Sequence, residues 1–467
     1  MFYVILFFLL RLPSLFEPYW YGDEGIYLAL GQAVRHGLLL FQQIHDNKPP
    51  TLYYLAALVR TVFGFRLLLF LVMIPTIYLF YRLAKNFLSP RLVKYSTLLF
   101  LLLTSIPLFE GNIANAEVFM LLPTILAIYI FYKYSQFSGL PAKALASAGL
   151  LLGLAFTIKV PVATEFAFLC LWLLIFQKSK IKNLFIFSFS FLTPIIIYLI
   201  YFTLRGALQP FLFAALLQNF GYLSSWSTGT QQASVASGGL FGRGIILLII
   251  WFLSFFLYYR QKISKNLLFL SAWFVAALFG ALLSGRPYPH YLIQVLPPLC
   301  LLLFFFFKSR YWVIFIFSLF IVSLFRYKFY FYPVFSYYVN FYSYAIGKKN
   351  TVSYRQYFGS DIPQNYLLAS KIKSLTSSTD RIYVWGDQSF LFPLSDRLPA
   401  TKYIVSYHVV DFKAYALTIS QLKLTTPKLI IYYPQPSRPF PELDNFIANY
   451  YVLIDQIGSA YIFQFRQ

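Results

Sequence analysis

Acidic residues are the scarcest chemistry in this chain: 15 Asp and Glu among 467 residues, against 38 Lys and Arg. Charged residues make up 11% of the sequence, where soluble domains carry about 25%. With 59% hydrophobic residues, 21% aromatic residues and a mean hydropathy of +0.66, that shortage excludes an ordinary soluble domain and fits a polytopic membrane protein. The net charge of +23 does not point to nucleic acid. The basic residues form no single stripe; they recur in short clusters between apolar runs, as cytoplasmic loops do under the positive-inside rule. Cysteine is scarcer still. Cys170 and Cys300 both lie inside apolar runs, which argues against a disulfide framework or a zinc site. Residues 1–16 lack a basic leader and a small-residue cleavage site, and Arg11 interrupts them, so they read as a first spanning helix and not a signal peptide. Their short start points to an incomplete N-terminus.

Helices of about 20 residues cross a hydrocarbon core. Candidate spans after the first are 67–83, 92–109, 117–134, 142–158, 161–177, 183–204, 241–259, 266–284, 289–307 and 311–326, giving about 11. The segment 50–63 is apolar but short, and contains Arg60. If it lies along the membrane surface, the connections at 82–94, 133–143, 178–182, 260–265 and 308–310 share one side; all are basic and none is acidic. The other side then receives Glu17, Asp23, Glu24, Asp46, Glu110, Glu117 and Glu165. Charge bias thus selects the surface-lying helix and puts these acids and the C-terminal part outside the cytoplasm. Residues 1–326 form the transmembrane module, and 205–240 a long outer loop whose Ser/Gly/Gln-rich tail reads as a mobile connection or lid. Its glycines follow no strand, which argues against a phosphate cradle. Residues 327–360 form an aromatic, basic linker suited to the headgroup level, Tyr337 included. Residues 361–467 read as a small α/β domain, with strands at RIYVWG, KLIIYYP, YVLID and AYIFQF and helices at NYLLASKIKSL, DFKAYALTISQL and PELDNFIANYY.

The chemistry gathers in the loop 21–64. Asp23 and Glu24 read either as a solvated pair capping the next helix or as paired acids for proton transfer. Glu110 and Glu117 in the next outer loop strengthen the second reading. Lys48, before Pro49 and Pro50, reads either as a snorkelling lysine or as the grip on a lipid phosphate. Arg60 and Arg66 read as headgroup anchors. Arg286, Tyr288, His290 and Tyr291 gather in SGRPYPHYLIQVLPPL, either as an aromatic-belt turn or as a site for phosphate or sugar hydroxyls. Lys159 and Glu165 are a candidate pair. A divalent metal over Asp23, Glu24, His45 and Glu117 is a weaker option, because no HExxH-like spacing supports it.

The run DEGIYLALGQAVRHGLLLFQQIHDNKPPTLYYLAALVRTVFG resembles the first outer loop of the glycosyltransferase C superfamily, especially bacterial family 39-like members. These are related to protein O-mannosyltransferases and to the lipid A aminoarabinose transferase. An acid pair, an amphipathic helix, Lys-Pro-Pro, an apolar surface helix and Gly follow in the family's order. Glu117, the RPYPHYLIQVLPP segment and the C-terminal α/β domain extend the resemblance, which is specific only over the first loop. It implies an inverting enzyme of the cytoplasmic membrane that moves a sugar from a polyprenyl-phosphate donor to a protein, lipid or cell-wall acceptor on the outer face. By resemblance Asp23 activates the acceptor, Glu24 supports it, Lys48 holds the donor phosphate and Glu117 corresponds to the second-loop acid; from the residues themselves Arg286 is a further candidate for the phosphate, and His45, Tyr288, His290 and Tyr291 are pocket candidates. Glu117 stands where relatives often have Asp. Asn115 replaces an acid of some relatives, which weakens the case for a metal. Two alternatives stay open: a flippase for lipid-linked glycans, and a non-catalytic envelope assembly protein. Transporters place ionisable groups near the midplane, whereas these acids cluster at one face.

Overall fold

The computed structural model describes residues 2–135, 141–219, 239–305 and 309–466. The lid or connection expected in the tail of 205–240 falls mainly on 220–238, outside the described residues. The chain forms two compact units that interleave along the sequence. One comprises Met1–Leu12, Leu68–Arg205 and Leu216–Val334; the other comprises Pro13–Leu67, Gly206–Ala215 and Phe335–Gln467. The sequence boundaries at 326 and 360 run along the chain, whereas the second unit joins the first loop to the C-terminal sheet.

Among the described residues, five helices are long and apolar enough to cross a membrane: Val62–Ala84, Ala116–Ser135, Lys180–Leu204, Gly242–Tyr259 and Lys265–Leu282. Several other expected spans are shorter or broken. The run expected at 92–109 leaves the α-helix at Leu103 and turns through a 3-10 segment, Pro107–Phe109. The run expected at 289–307 opens as a 3-10 helix, Pro289–Val295. Proline explains both, since it supplies no N–H to the ladder. The surface helix expected over 50–63 covers only Thr51–Ala57, and the next helix already starts at Val62.

Within the helical unit, the helices Ala142–Phe156 and Lys180–Leu204 pack backbone to backbone. Gly149 and Gly153 stand four residues apart on one face. A Cβ at either would collide with the carbonyl oxygen of Phe187 or Phe191. Small residues at this spacing let transmembrane helices approach closely. Arg11, buried in the first helix, donates to the Thr104 and Gly111 carbonyls and ties that helix to the turn that follows Leu103.

In the second unit, β1 (Arg381–Trp385), β2 (Leu398–Pro399), β3 (Leu429–Tyr432), β4 (Tyr451–Ile457) and β5 (Ala460–Phe465) form a sheet of order β2-β1-β3-β5-β4. β2, β1 and β3 run parallel; β5 pairs antiparallel with β3 and β4. The four strands expected from sequence are present, and the short β2 escaped notice. The helix expected from residue 411 starts at Tyr415, because Lys413 takes a left-handed φ of 49°. The first loop joins this unit through its helices Gly22–Arg35 and Thr51–Ala57. They touch where Gly31 meets Ala56, leaving 2.6 Å between a would-be Cβ and the Ala56 carbonyl carbon. The Ser389 hydroxyl donates to the Gly22 carbonyl, and the His45 amide donates to the Lys402 carbonyl at 3.1 Å. Tyr337 and Tyr354 are buried here, so this part of the 327–360 linker does not rest on lipid headgroups; Tyr337 is drawn in by a hydrogen bond to Glu17.

Replacing Gly153 by Val should destabilise the helical unit by about 1–3 kcal/mol, the usual range for overpacking. A thermal midpoint in detergent unchanged from wild type would contradict the close approach.

Candidate active site

The segment GDEG opens the helix Gly22–Arg35, with both acids in its first turn, where the helix dipole favours negative charge. Asp23 stays about one-third exposed, and its Oδ2 lies 3.2 Å from the Lys48 Nζ. The Tyr27 phenol, one turn along, donates to the same carboxylate at 2.9 Å. The Lys48 ammonium also sits 4.9 Å over the Tyr27 ring and 4.0 Å from the Asp46 carboxylate. Asp46 is buried and accepts a 2.7 Å bond from the Tyr53 phenol, whose oxygen in turn accepts the Lys48 amide at 3.0 Å. Burial, followed by the Asp46 charge, pushes the Tyr53 phenol well above its ordinary pKa, so it remains a donor. Pro49 and Pro50 start the helix Thr51–Ala57 and deliver Tyr53 to this cluster. Sequence and structure agree in placing Asp23 beside Lys48, whereas the participation of Asp46, Tyr27 and Tyr53 was not foreseen.

Glu24 faces a different partner. Its two oxygens accept from Nε and Nη2 of Arg66, the first at 2.9 Å. Arg66 Nη1 also meets Glu17 Oε2 at 2.7 Å and donates to the Ser14 carbonyl at 2.9 Å. Trp20 Nε1 and the Tyr337 phenol donate to Glu17. All three charged groups are buried. Arg66 is therefore not a headgroup anchor, contrary to expectation: two carboxylates supply its counter-charge inside the protein. His45 is buried too, edge-on to the rings of Tyr403, His408 and Phe412 at 5.0–5.4 Å.

The helical unit holds a second ionisable cluster. Lys159 meets Glu117 at 2.7 Å and stands 4.9 Å over the Tyr291 ring. It does not pair with Glu165 as expected; Glu165 instead accepts from Gln294 at 2.7 Å and from Thr164 at 3.1 Å. His290 Nδ1 contacts Glu110, and its Nε2 lies 3.9 Å from Glu117. The Tyr332 phenol and the Asn115 amide also bond to Glu110. Glu110 has a φ of 57°, a left-handed backbone uncommon outside glycine. Such outliers collect at sites where the surroundings over-determine them. Tyr288 stacks on His290 with centroids 5.7 Å apart, and Tyr291 meets it edge-on at 4.6 Å. Arg286 lies at the same turn, its amide donating to the Ser284 hydroxyl at 3.3 Å. Among the described residues no three His, Cys, Asp or Glu side chains gather as a metal-holding group, so the metal weighed over Asp23, Glu24, His45 and Glu117 finds no such group.

The fold is similar to that of a solved membrane protein. ArnT from Cupriavidus metallidurans, crystallised bound to undecaprenyl phosphate, superposes with a TM-score of 0.62 at 13% identity, over 99% of this chain and 97% of that one. The same protein in the apo state gives 0.52 at the same identity and coverage. Residues 47–203 match the family described as dolichyl-phosphate-mannose-protein mannosyltransferase. No curated protein matches the chain by sequence. The chain thus shares the ArnT fold, and its residues 47–203 are similar to that family's.

Removing the arginine of the buried triplet strands two carboxylates. Arg66→Met should therefore cost about 3–5 kcal/mol, the range for breaking a buried ion pair. Thermal unfolding followed by intrinsic fluorescence checks this; a midpoint equal to wild type would show the triplet to be dispensable.

Proposed function

We propose that this protein is an inverting glycosyltransferase that acts on the outer face of the cytoplasmic membrane, moving a sugar from a polyprenyl-phosphate carrier to a hydroxyl or amine of a protein, lipid or cell-wall glycan. The observation that carries the reading is the contact between the Lys48 ammonium and the partly exposed Asp23 carboxylate. A carrier phosphate is anionic and already a good leaving group, so the site needs a cation for the phosphate and a base for the acceptor. That pair supplies both. The lipid crystallised with the similarly folded ArnT is of the carrier class proposed here.

In the resting protein Lys48 is shared between Asp23 and Asp46. A carboxylate that shares an ammonium holds a proton poorly. When a carrier phosphate takes the ammonium, Asp23 becomes a better base beside the sugar. The acceptor oxygen or nitrogen then attacks the anomeric carbon opposite the phosphate. Its proton passes to Asp23 as the new bond forms, and the anomeric C–O bond breaks with its electron pair going to the phosphate, which Lys48 stabilises. Tyr27 fixes the Asp23 carboxylate through its phenol. Glu24 supports the base indirectly, by anchoring the same helical turn to Arg66. Glu117, Arg286, Tyr288, His290 and Tyr291 belong to the helical unit and are candidates for sugar or headgroup contacts there. His45 packs against the rings of Tyr403, His408 and Phe412. The positive clusters between apolar runs support the outward orientation of these acids.

Purified protein in nanodiscs, supplied with a radiolabelled polyprenyl-phosphate sugar and envelope acceptors, tests the reading. Asp23→Asn should slow transfer by about 10²–10⁴-fold. Lys48→Ala should raise the donor KM by about tenfold or more, as expected for the loss of a charged contact of some 1.5–3 kcal/mol. Full transfer by Asp23→Asn would refute the base. Wild-type protein that transfers nothing but carries lipid-linked glycan across the bilayer would establish the flippase reading.

A further inference from the structure

The C-terminal unit places a histidine against the cluster that holds Lys48. His408 lies in the short helix Ser406–Asp411, which follows the parallel strands β1 and β2. Its side chain is buried, with Nε2 3.8 Å from Asp46 Oδ1, the oxygen opposite the one nearest Lys48. Its Nδ1 is buried and has no hydrogen-bond partner among the described residues. The His45 ring lies 5.4 Å away and that of Phe412 6.0 Å away. The other charges that reach the imidazole are Asp411, Lys48 and Asp387. Burial holds its pKa below the ordinary value and outweighs the opposing pull of Asp46, while Lys48 adds to the lowering. The resting imidazole is thus neutral near pH 7, next to a buried carboxylate that depends on a shared lysine.

We propose that His408 and Asp46 form a proton-accepting dyad beneath Lys48, so that a phosphate headgroup docking on the Lys48 ammonium is bound together with a proton taken up by His408. This rests on the donor reading above. Docking adds one or two negative charges beside Lys48 and cancels the field by which that lysine disfavours imidazolium. Asp46, whose share of the lysine has been withdrawn, then gains a cation on its other oxygen. No other bond changes: the proton comes from solvent and goes to an imidazole nitrogen, and it returns when the phosphate leaves. At an effective dielectric constant of about 20, charges a few ångströms apart interact strongly enough to shift such an equilibrium by about tenfold. His408 is a positioning residue in this scheme, since it acts on the phosphate through Asp46 and Lys48.

Calorimetric titration of the full-length protein in detergent with undecaprenyl phosphate, in buffers of different ionisation enthalpy near neutral pH, counts the protons directly. The sign is diagnostic. A phosphate monoester has its second pKa near 6, and binding to a bare ammonium favours its dianion. That contribution releases protons and weakens binding as pH falls. A dyad that captures a proton does the opposite: net uptake by wild type, and affinity rising by about tenfold as pH is lowered through the imidazole range, near 6.5 for an ordinary histidine. His408→Gln should abolish the uptake and reverse the pH trend. Wild type that binds with release or with no exchange overturns the dyad, whatever the variant does. So does a folded His408→Gln, judged by its melting midpoint, that retains wild-type uptake. Absence of binding by wild type, or binding by Lys48→Ala equal to wild type, overturns the donor reading instead.

Discussion

A single buried guanidinium, that of Arg66, fixes the geometry from which the proposed chemistry follows. It is held on one side by Glu17 and on the other by Glu24. Those two acids bracket the start of the first loop, and Arg66 belongs to the helix that follows it, Val62–Ala84. The loop is thereby closed at its base. Charges this deep are tolerated only when paired and hydrogen-bonded, and the Ser14 carbonyl, Trp20 and Tyr337 complete the set. Closing the base leaves Asp23, the neighbour of Glu24, at the one-third-exposed end of the turn, within reach of Lys48. Two adjacent carboxylates thus do different jobs because their surroundings differ: one is locked to an arginine, and the other shares a lysine near solvent.

The C-terminal sheet gains a role from the same arrangement. Its residues lie in one compact unit with the first loop. Lys402 receives the His45 amide, Ser389 donates to Gly22, and Gln32 donates to Asp396 at 3.1 Å. The first of these contacts holds the Lys48 segment, and the other two hold the helix Gly22–Arg35 that carries Asp23. The domain is part of the scaffold on which the proposed donor site is built, which makes a freely tethered binding module a poor description of it.

Much of this was legible in the sequence, for physical reasons. Alternation and β-branched content located β1, β3, β4 and β5, and the juxtaposition of Asp23 and Lys48 was readable from a single loop with few charges. What escaped depended on partners remote in the chain. Hydropathy assigns Arg66 to the membrane surface because it cannot see Glu24, 42 residues earlier. Lys159 stands nearer Glu165 in sequence, yet it pairs with Glu117. His408 carries no local signature at all. The spacing of Gly149 and Gly153 was a readable signal that went unused, and it marks a close helix approach in the helical unit. Two expected spans, 92–109 and 289–307, change helix type at prolines, where apolar content persists but the α-helical hydrogen-bond ladder does not.

The central claim is that the Lys48 ammonium, shared at rest between Asp23 and Asp46, is the docking point for a carrier phosphate. An electron cryo-microscopy map of the wild-type protein with a bound polyprenyl phosphate tests it most directly. The account predicts phosphate density in hydrogen-bond contact with the Lys48 ammonium, with the Asp23 carboxylate turned towards the headgroup's far side. A well-resolved phosphate seated elsewhere, with the Lys48–Asp23 contact intact, would contradict it.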